Sequence, residues 1–214
     1  MSTSPEVGGT LANGRECARL LEEVVALAQR AERITEVATG YPSPMGQDIV
    51  TGASVEVSVE VTGTPPQIWE LVTDVTRIGE WSPECVDAWW SDAEHASPTI
   101  GARFEGHNRY PGGFEATAQC VVTEASRPTT FTWVVLDSDE LVDRPGSTWS
   151  YQLAPSGPDT TMVTHRFVHG PGMTGVRSGA ESNLENAQQM VDARLALLRK
   201  NMTQTIEAIG RSVN

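Results

Sequence analysis

VEVSVEVTGTPPQIWELVTDVTRIGEWSP, running from Val55 to Pro83, is the stretch whose reading decides the fold. From Val55 to Val61 valines alternate with Glu56, Ser58 and Glu60, the period-2 pattern of a strand with one buried and one wet face. Gly63 and Thr64 end that strand. Pro65-Pro66 then open a helix, where a missing N–H costs nothing because the first turn has no intrahelical acceptor for it. Ile68, Trp69, Leu71, Val72 and Val75 give this short helix one apolar side. A second turn follows at Arg77 to Glu80, and Trp81 with Pro83 closes the corner before the next strand.

Beyond the corner the chain reads as consecutive strands. Val86 to Ser91 contains Trp89-Trp90, and Ala102 to Asn108 leads through the turn signal Tyr110-Pro111-Gly112-Gly113 into Phe114 to Glu124. In that strand Phe114, Ala116, Ala118, Cys120 and Val122 share one face, and the small residues at 116 and 118 leave room above the sheet. Thr130 to Leu136, Ser147 to Ala154 and Thr161 to His169 continue the series. Trp149, Tyr151 and Leu153 point one way in the first strand of the last hairpin, as do Val163, His165, Phe167 and His169 in the second. A glycine-rich loop from Gly170 to Ala180 is expected to act as a gate. It leads into a long helix from about Glu181 to Ile209 with a stripe of Leu184, Ala187, Val191, Leu195, Leu198, Met202 and Ile209.

Upstream, Glu16 to Thr39 reads as an amphipathic helix with Cys17, Leu20, Leu21, Val24, Leu27, Ala28, Ala31 and Ile34 at helical spacing. Its apolar stripe needs a partner, and three placements are open: the outside of the sheet, the mouth of a cavity, or a second copy of the chain in a homodimer. Packing on its own domain is the expectation, because surface helices usually serve their own core. The chain divides into an N-terminal extension over residues 1–50 and one domain over residues 51–214.

Composition narrows the classes. Fifteen basic against twenty-eight acidic residues give a formal charge of -13, which disfavours phosphate backbones and anionic membranes, so no nucleic-acid partner is expected. No stretch approaches the ~18 apolar residues of a membrane span, and no secretory leader pattern is present, so a cytoplasmic location is expected. Three cysteines, Cys17, Cys85 and Cys120, leave one unpaired under any disulfide scheme.

Specific chemistry is sparse. His165 and His169 are four residues apart, but on a strand that spacing separates the side chains by ~13 Å, too far for one ion, and no metal is expected. His165 lies between Val163 and Phe167 on the same face and is a candidate general acid or base, set against a plain hydrogen-bonding role. Cys120 has no neighbouring base and reads as a small hydrophobe. No nucleophile elbow, phosphate loop or dinucleotide fingerprint occurs, and no cofactor is expected.

The strand, Pro-Pro helix and Trp81-Pro83 corner resemble the opening of the START-like superfamily, which includes polyketide cyclases and dehydratases, plant pathogenesis-related allergens and lipid-transfer domains. The resemblance covers roughly Ser54 to Gly210. It implies an α+β helix-grip fold: a curved antiparallel sheet of six to seven strands around a long C-terminal helix, here with an added N-terminal helix. It also implies an apolar cavity for a small hydrophobic or aromatic, polyketide-like molecule. Two activities follow from the resemblance: cofactor-free cyclisation and dehydration, or noncatalytic carriage of a lipid or other hydrophobic ligand. For the first, His165, Tyr151 and Arg109 are the catalytic candidates. Trp81, Trp89, Phe104, Tyr110, Phe114, Cys120, Trp133, Trp149, Phe167, Val191 and Arg194 are the candidates for lining the cavity. Polyketide cyclases of this superfamily hold poly-ketones with Arg, Tyr and Ser or Thr side chains, which is why Arg109 and Tyr110 are included.

Overall fold

The computed structural model describes residues 48–92 and 96–213. The helix expected over Glu16 to Thr39, with Cys17, lies outside the described residues. The strands are β1 (Ser54–Thr62), β2 (Cys85–Trp90), β3 (Arg103–Arg109), β4 (Glu115–Ser126), β5 (Thr130–Val135), β6 (Ser147–Gly157) and β7 (Thr160–His169). They form one seven-stranded antiparallel sheet in the order β1-β7-β6-β5-β4-β3-β2. Strands β2 to β7 are a meander of neighbouring hairpins, and β1 reaches its place beside β7 because α1 (Pro65–Thr73) and a 3-10 turn (Val75–Glu80) carry the chain across to β2. Register irregularities between Cys85 and Asp87, Val122 and Glu124, and Pro155 and Gly157 mark bulges. Bulges bend a sheet and raise its twist, and here the sheet curls into a half-barrel.

The crossover is held by short-range polar contacts. The Thr64 N–H donates to Gln67 Oε1 at 2.9 Å, using one of the donors that every helix start leaves open. Asp74 accepts from Thr76 N–H and so starts the 3-10 turn. Trp81 is buried, and its indole Nε1 donates to Ser212 Oγ at 3.0 Å, tying the corner to the end of the last helix.

That last helix, α3 (Ala187–Arg211), lies in the concavity. Leu198, Met202, Ile206 and Ile209 are buried in one core with Val57 and Val61 of β1, Val163 of β7 and Ile68 and Trp69 of α1. Each such side chain contributes roughly 1.5–3 kcal/mol on burial. Close approach sets the helix against β1: a Cβ at Gly210 would lie 2.8 Å from Val61 Cγ1.

Two expectations for the C-terminal region are corrected. The single helix from Glu181 is two helices, α2 (Gly175–Ser182) and α3, and Leu184 between them is 80% exposed rather than part of the stripe. Thr174 caps α2 by accepting from Arg177 N–H, and the Asn183 N–H returns to the Gly179 carbonyl, ending the helix. The glycine loop is not a free hinge. Added Cβ atoms at Gly170 and Gly172 would run into the Pro145 and Arg144 backbone carbonyls, so these glycines permit packing rather than motion. Arg177, itself buried, donates to the Gly170 and Gly172 carbonyls, to Thr51 Oγ1 at 2.6 Å and to Asp48 Oδ1 at 3.1 Å.

The convex face of the described sheet is mostly polar. Val121, Val134 and Leu136 form a separate buried cluster there. The first two belong to a row that runs from strand to strand: Arg103, Val121, Val134, Thr148, Val168 and Ser54.

Candidate functional site

Alternation along β2, β3, β5, β6 and β7 turns Trp90, Phe104, Phe131, Trp133, Trp149, Tyr151, His165, Phe167 and His169 onto the concave face. The rings touch in sequence. Trp90 meets Phe104 at 5.7 Å, Phe104 meets Trp133 at 6.2 Å, and Trp133 stacks on Trp149 at 6.1 Å with planes 5° apart. Trp149 meets Phe167 edge-on at 4.7 Å, and Phe167 meets His169 at 4.7 Å. Strand β4 supplies the small Ala118 and Cys120 in the middle of this wall, opposite Gly106 and Phe104. Although they face inward, Trp90, Trp133 and Trp149 are only half-buried. Accessible aromatic surface is therefore left inside the grip of the sheet, the environment in which flat apolar molecules bind.

His165 sits in this wall, 4% exposed, with its ring stacked on Tyr151 at 4.0 Å and 12°. Trp149 and Trp133 flank it at 5.4 and 6.1 Å. Nδ1 lies 2.9 Å from the Ser150 carbonyl. A carbonyl only accepts, so Nδ1 carries the proton of the neutral ring and Nε2 keeps the lone pair. Burial lowers the imidazole pKa to about 4, against a smaller upward pull from the Ser150 carbonyl. Burial likewise pushes the Tyr151 phenol above its ordinary range. Both groups are neutral near pH 7.

One end of the interior is charged. Arg194 of α3 forms a bidentate pair with Glu84 at 2.6 and 2.8 Å, each side chain 12% exposed. Asn201 Nδ2 adds a donor to Glu84 Oε2 at 3.2 Å, and the guanidinium lies 5.6 Å over the Tyr110 ring. Burial opposes the Arg194 charge, and the adjacent Glu84 carboxylate more than offsets that, raising its pKa. His169 is buried with neither ring nitrogen hydrogen-bonded. Burial first, then Arg194 and Arg177, lower its pKa to about 4.

Several expected residues thus come together: His165, Tyr151, Trp133, Trp149, Phe167 and Phe104 in the wall, with Tyr110 and Arg194 at the charged end. Phe114 stacks on Tyr110 at 5.7 Å. Cys120 is buried in the wall, and burial pushes its thiol upward, so it is no nucleophile. Val191 packs with Val50, Val176, Ala180 and Ala187 where α2 meets α3. Three residues are placed elsewhere. Trp89 is on the convex face, 40% exposed, because Trp90 takes the inward parity. Arg109 also faces out, its Nε donating to Glu115 Oε1 at 2.6 Å on the neighbouring strand. Trp81 braces the corner against Ser212. Sequence reasoning did not select Glu84, Asn201, His169 or Trp90 for the site. Glu84 and Arg194 are 110 residues apart, and no local pattern announces their pairing.

A curled antiparallel sheet gripping a C-terminal helix, with an aromatic concave face, defines the START-like, helix-grip class of hydrophobic-ligand-binding domains. Within that class the chain belongs to the polyketide cyclase / dehydrase and lipid transport family, whose model matches residues 52–203. The di-domain ARO/CYC StfQ from the steffimycin biosynthetic pathway shares the fold, with a TM-score of 0.56 at 13% identity over 76% of this chain and 51% of that one. The Polyketide_cyc-like protein Cgl2372 from Corynebacterium glutamicum aligns at 25% identity over 76% of this chain and 95% of that one, with a TM-score of 0.49. Among curated proteins no sequence matches. No described helix is long and apolar enough to cross a membrane.

Proposed function

We propose that the concave face binds a small aromatic or polyketide-like molecule and that the protein catalyses its cofactor-free cyclisation and dehydration, with His165 as base and Tyr151 as acid. The observation that carries this reading is the stacked His165–Tyr151 pair inside a wall of half-buried tryptophans. The imidazole offers a lone pair at Nε2 and the phenol offers a proton. In an aldol cyclisation Nε2 takes a proton from the carbon between two carbonyls. The resulting enolate carbon attacks a second carbonyl of the same molecule, and the oxygen formed there receives a proton from Tyr151. The imidazolium then protonates that hydroxyl as it leaves as water, a second carbon-bound proton passes to the Tyr151 phenolate, and both side chains are restored with the ring left unsaturated. Only water departs, so the chemistry calls for no oxidant or reductant. What the site supplies is positioning on the aromatic wall and proton transfer. Arg194, held by Glu84, orients a carbonyl-rich end of the ligand in this reading, the part expected of Arg109.

A noncatalytic carrier is the second reading. The low basicity of His165 favours it, because a conjugate acid of pKa about 4 abstracts protons weakly at neutral pH. Replacing His165 by Gln separates the two. For the enzyme, His165→Gln lowers kcat on a poly-β-ketone substrate by roughly 10²–10⁴ and leaves the dissociation constant of an aromatic product nearly unchanged. Unaltered turnover removes His165 as the base. A wild-type protein with no turnover that holds one co-purifying hydrophobic molecule per chain in native mass spectrometry is a carrier.

A further inference from the structure

The aromatic wall ends in a polar ring that the fold itself does not use. His169 is the last residue of β7 and shares the concave parity of His165 and Phe167, whose ring it meets at 4.7 Å. Its backbone is satisfied: the N–H donates to the Ala53 carbonyl and the carbonyl accepts from the Gly52 N–H, both at 2.9 Å. The side chain is 4% exposed, and Nδ1 and Nε2 are, among the described residues, the buried side-chain polar atoms without a hydrogen bond. Ser147, opposite on β6, is already engaged, its Oγ accepting from Trp149 Nε1 at 3.1 Å. Two dry, unpaired nitrogens cost stability that an apolar ring would not. A bound molecule that supplies the missing partner recovers that cost.

The surroundings specify the partner. The charged groups at this end are Arg194 of α3 with its partner Glu84, and Arg177 of α2 with Asp48 and, at 4.0 Å, Glu181. His165 is the other titratable group on the same face of β7. Burial and then both guanidiniums lower the His169 pKa, so each guanidinium still acts on the ring as positive charge although each has a carboxylate. The field at the ring thus favours an anion. A neutral imidazole has one N–H and one lone pair, and the lone pair repels a carboxylate, whereas an imidazolium donates from both nitrogens. Trp149, half-buried and edge-on to Phe167, leaves flat apolar surface next to this end.

We propose that the wall takes an aromatic carboxylic acid whose carboxylate is anchored at His169 beside Arg194, and that the acid binds together with one proton. This deepens the reading of the concave face as a seat for flat molecules and rests on it. The proton comes from solvent and is shared between carboxylate and imidazole, and no bond within the ligand changes. A neutral ester of the same acid uses the same wall without it.

Calorimetric titration of the full-length chain with 2-naphthoate and with its methyl ester tests this, at pH 7.5, 6.5 and 5.5 and in two buffers of different ionisation enthalpy. The acid is expected to bind with uptake of one proton and to tighten roughly tenfold per pH unit as pH falls, while the ester binds alike at all three. His169→Phe is expected to abolish the uptake and the slope and to leave the ester's dissociation constant nearly unchanged. If that variant unfolds below the wild-type midpoint, His169→Gln, which keeps a donor but takes up no proton, gives the same comparison. Acid that binds without proton uptake, or a slope that survives both substitutions, overturns the inference, and ester binding then shows that the aromatic wall stands without it. Failure of both ligands to bind removes the wall reading and the anchor with it.

Discussion

At Glu84 a single carboxylate neutralises the cation that borders the ligand wall. Its partner Arg194 is 12% exposed and has no other anion at hydrogen-bond distance among the described residues. Removing one member of a buried pair strands the other, which costs about 3–5 kcal/mol, whereas replacing both by apolar groups often costs little. Glu84→Gln is therefore expected to lose that amount in urea unfolding, and Glu84→Gln with Arg194→Met to recover most of it. A single variant that unfolds at the wild-type midpoint would mean that the pair is solvated. The same residues mark the limit of what sequence patterns carry. Period-2 alternation separates Tyr151 and His165 from their outward neighbours because those neighbours are Ser150, Gln152, Thr164 and Arg166. In Trp89-Trp90 adjacent residues are alike, the pattern has no contrast, and the parity cannot be read. Arg109 sits beside a turn that resembles a site rim, yet its position is decided by Glu115 across the hairpin.

The elements were legible where hydrophobic period and turn chemistry agree. The Pro-Pro helix, the hairpins and the paired strands follow the expected bounds within a few residues. The helix break at Asn183 did not, because Leu184 keeps phase with the later stripe, while Asn183 and Asn186 close a turn through their own side chains. The glycine loop was misread for a related reason. Glycine signals either freedom or close approach, and only the neighbouring Pro145 and Gly146 backbone shows which applies. Gly170→Ala accordingly tests packing. The added methyl meets a backbone carbonyl that has no rotamer to change, and overpacking of this kind costs about 1–3 kcal/mol. Thermal unfolding should then begin roughly 2–4 °C lower per kcal/mol for a chain of this size. An unchanged melting temperature would return the loop to the status of a hinge.

Across the whole molecule, both interior histidines couple stability to pH. Burial holds each folded pKa at about 4, against an ordinary imidazole value of 6.5. Above pH 6.5 the imidazoles are neutral in folded and unfolded chains and contribute no pH dependence. Between pH 6.5 and 4 the unfolded chain binds protons that the folded chain refuses, so stability falls as pH falls. His165 alone accounts for roughly 3 kcal/mol across that window, and His169 acts in the same direction. Chemical denaturation at pH 7, 6, 5 and 4 is expected to show this decline, with a shallower slope in His165→Gln. A flat profile from pH 7 to 5 would place both rings in water.

The strand order carries a consequence for synthesis. Ser58 of β1 and its partner Thr164 of β7 share a hydroxyl hydrogen bond across 106 residues. At about 5–20 residues per second, a ribosome needs roughly 5–20 s to deliver that partner. Throughout that interval Val55, Val57, Val59 and Val61 have emerged as a β-prone apolar segment with no neighbour to pair with. The charges at Glu56 and Glu60, alternating with those valines on the outward face, serve as gatekeepers against association between nascent chains until the meander arrives.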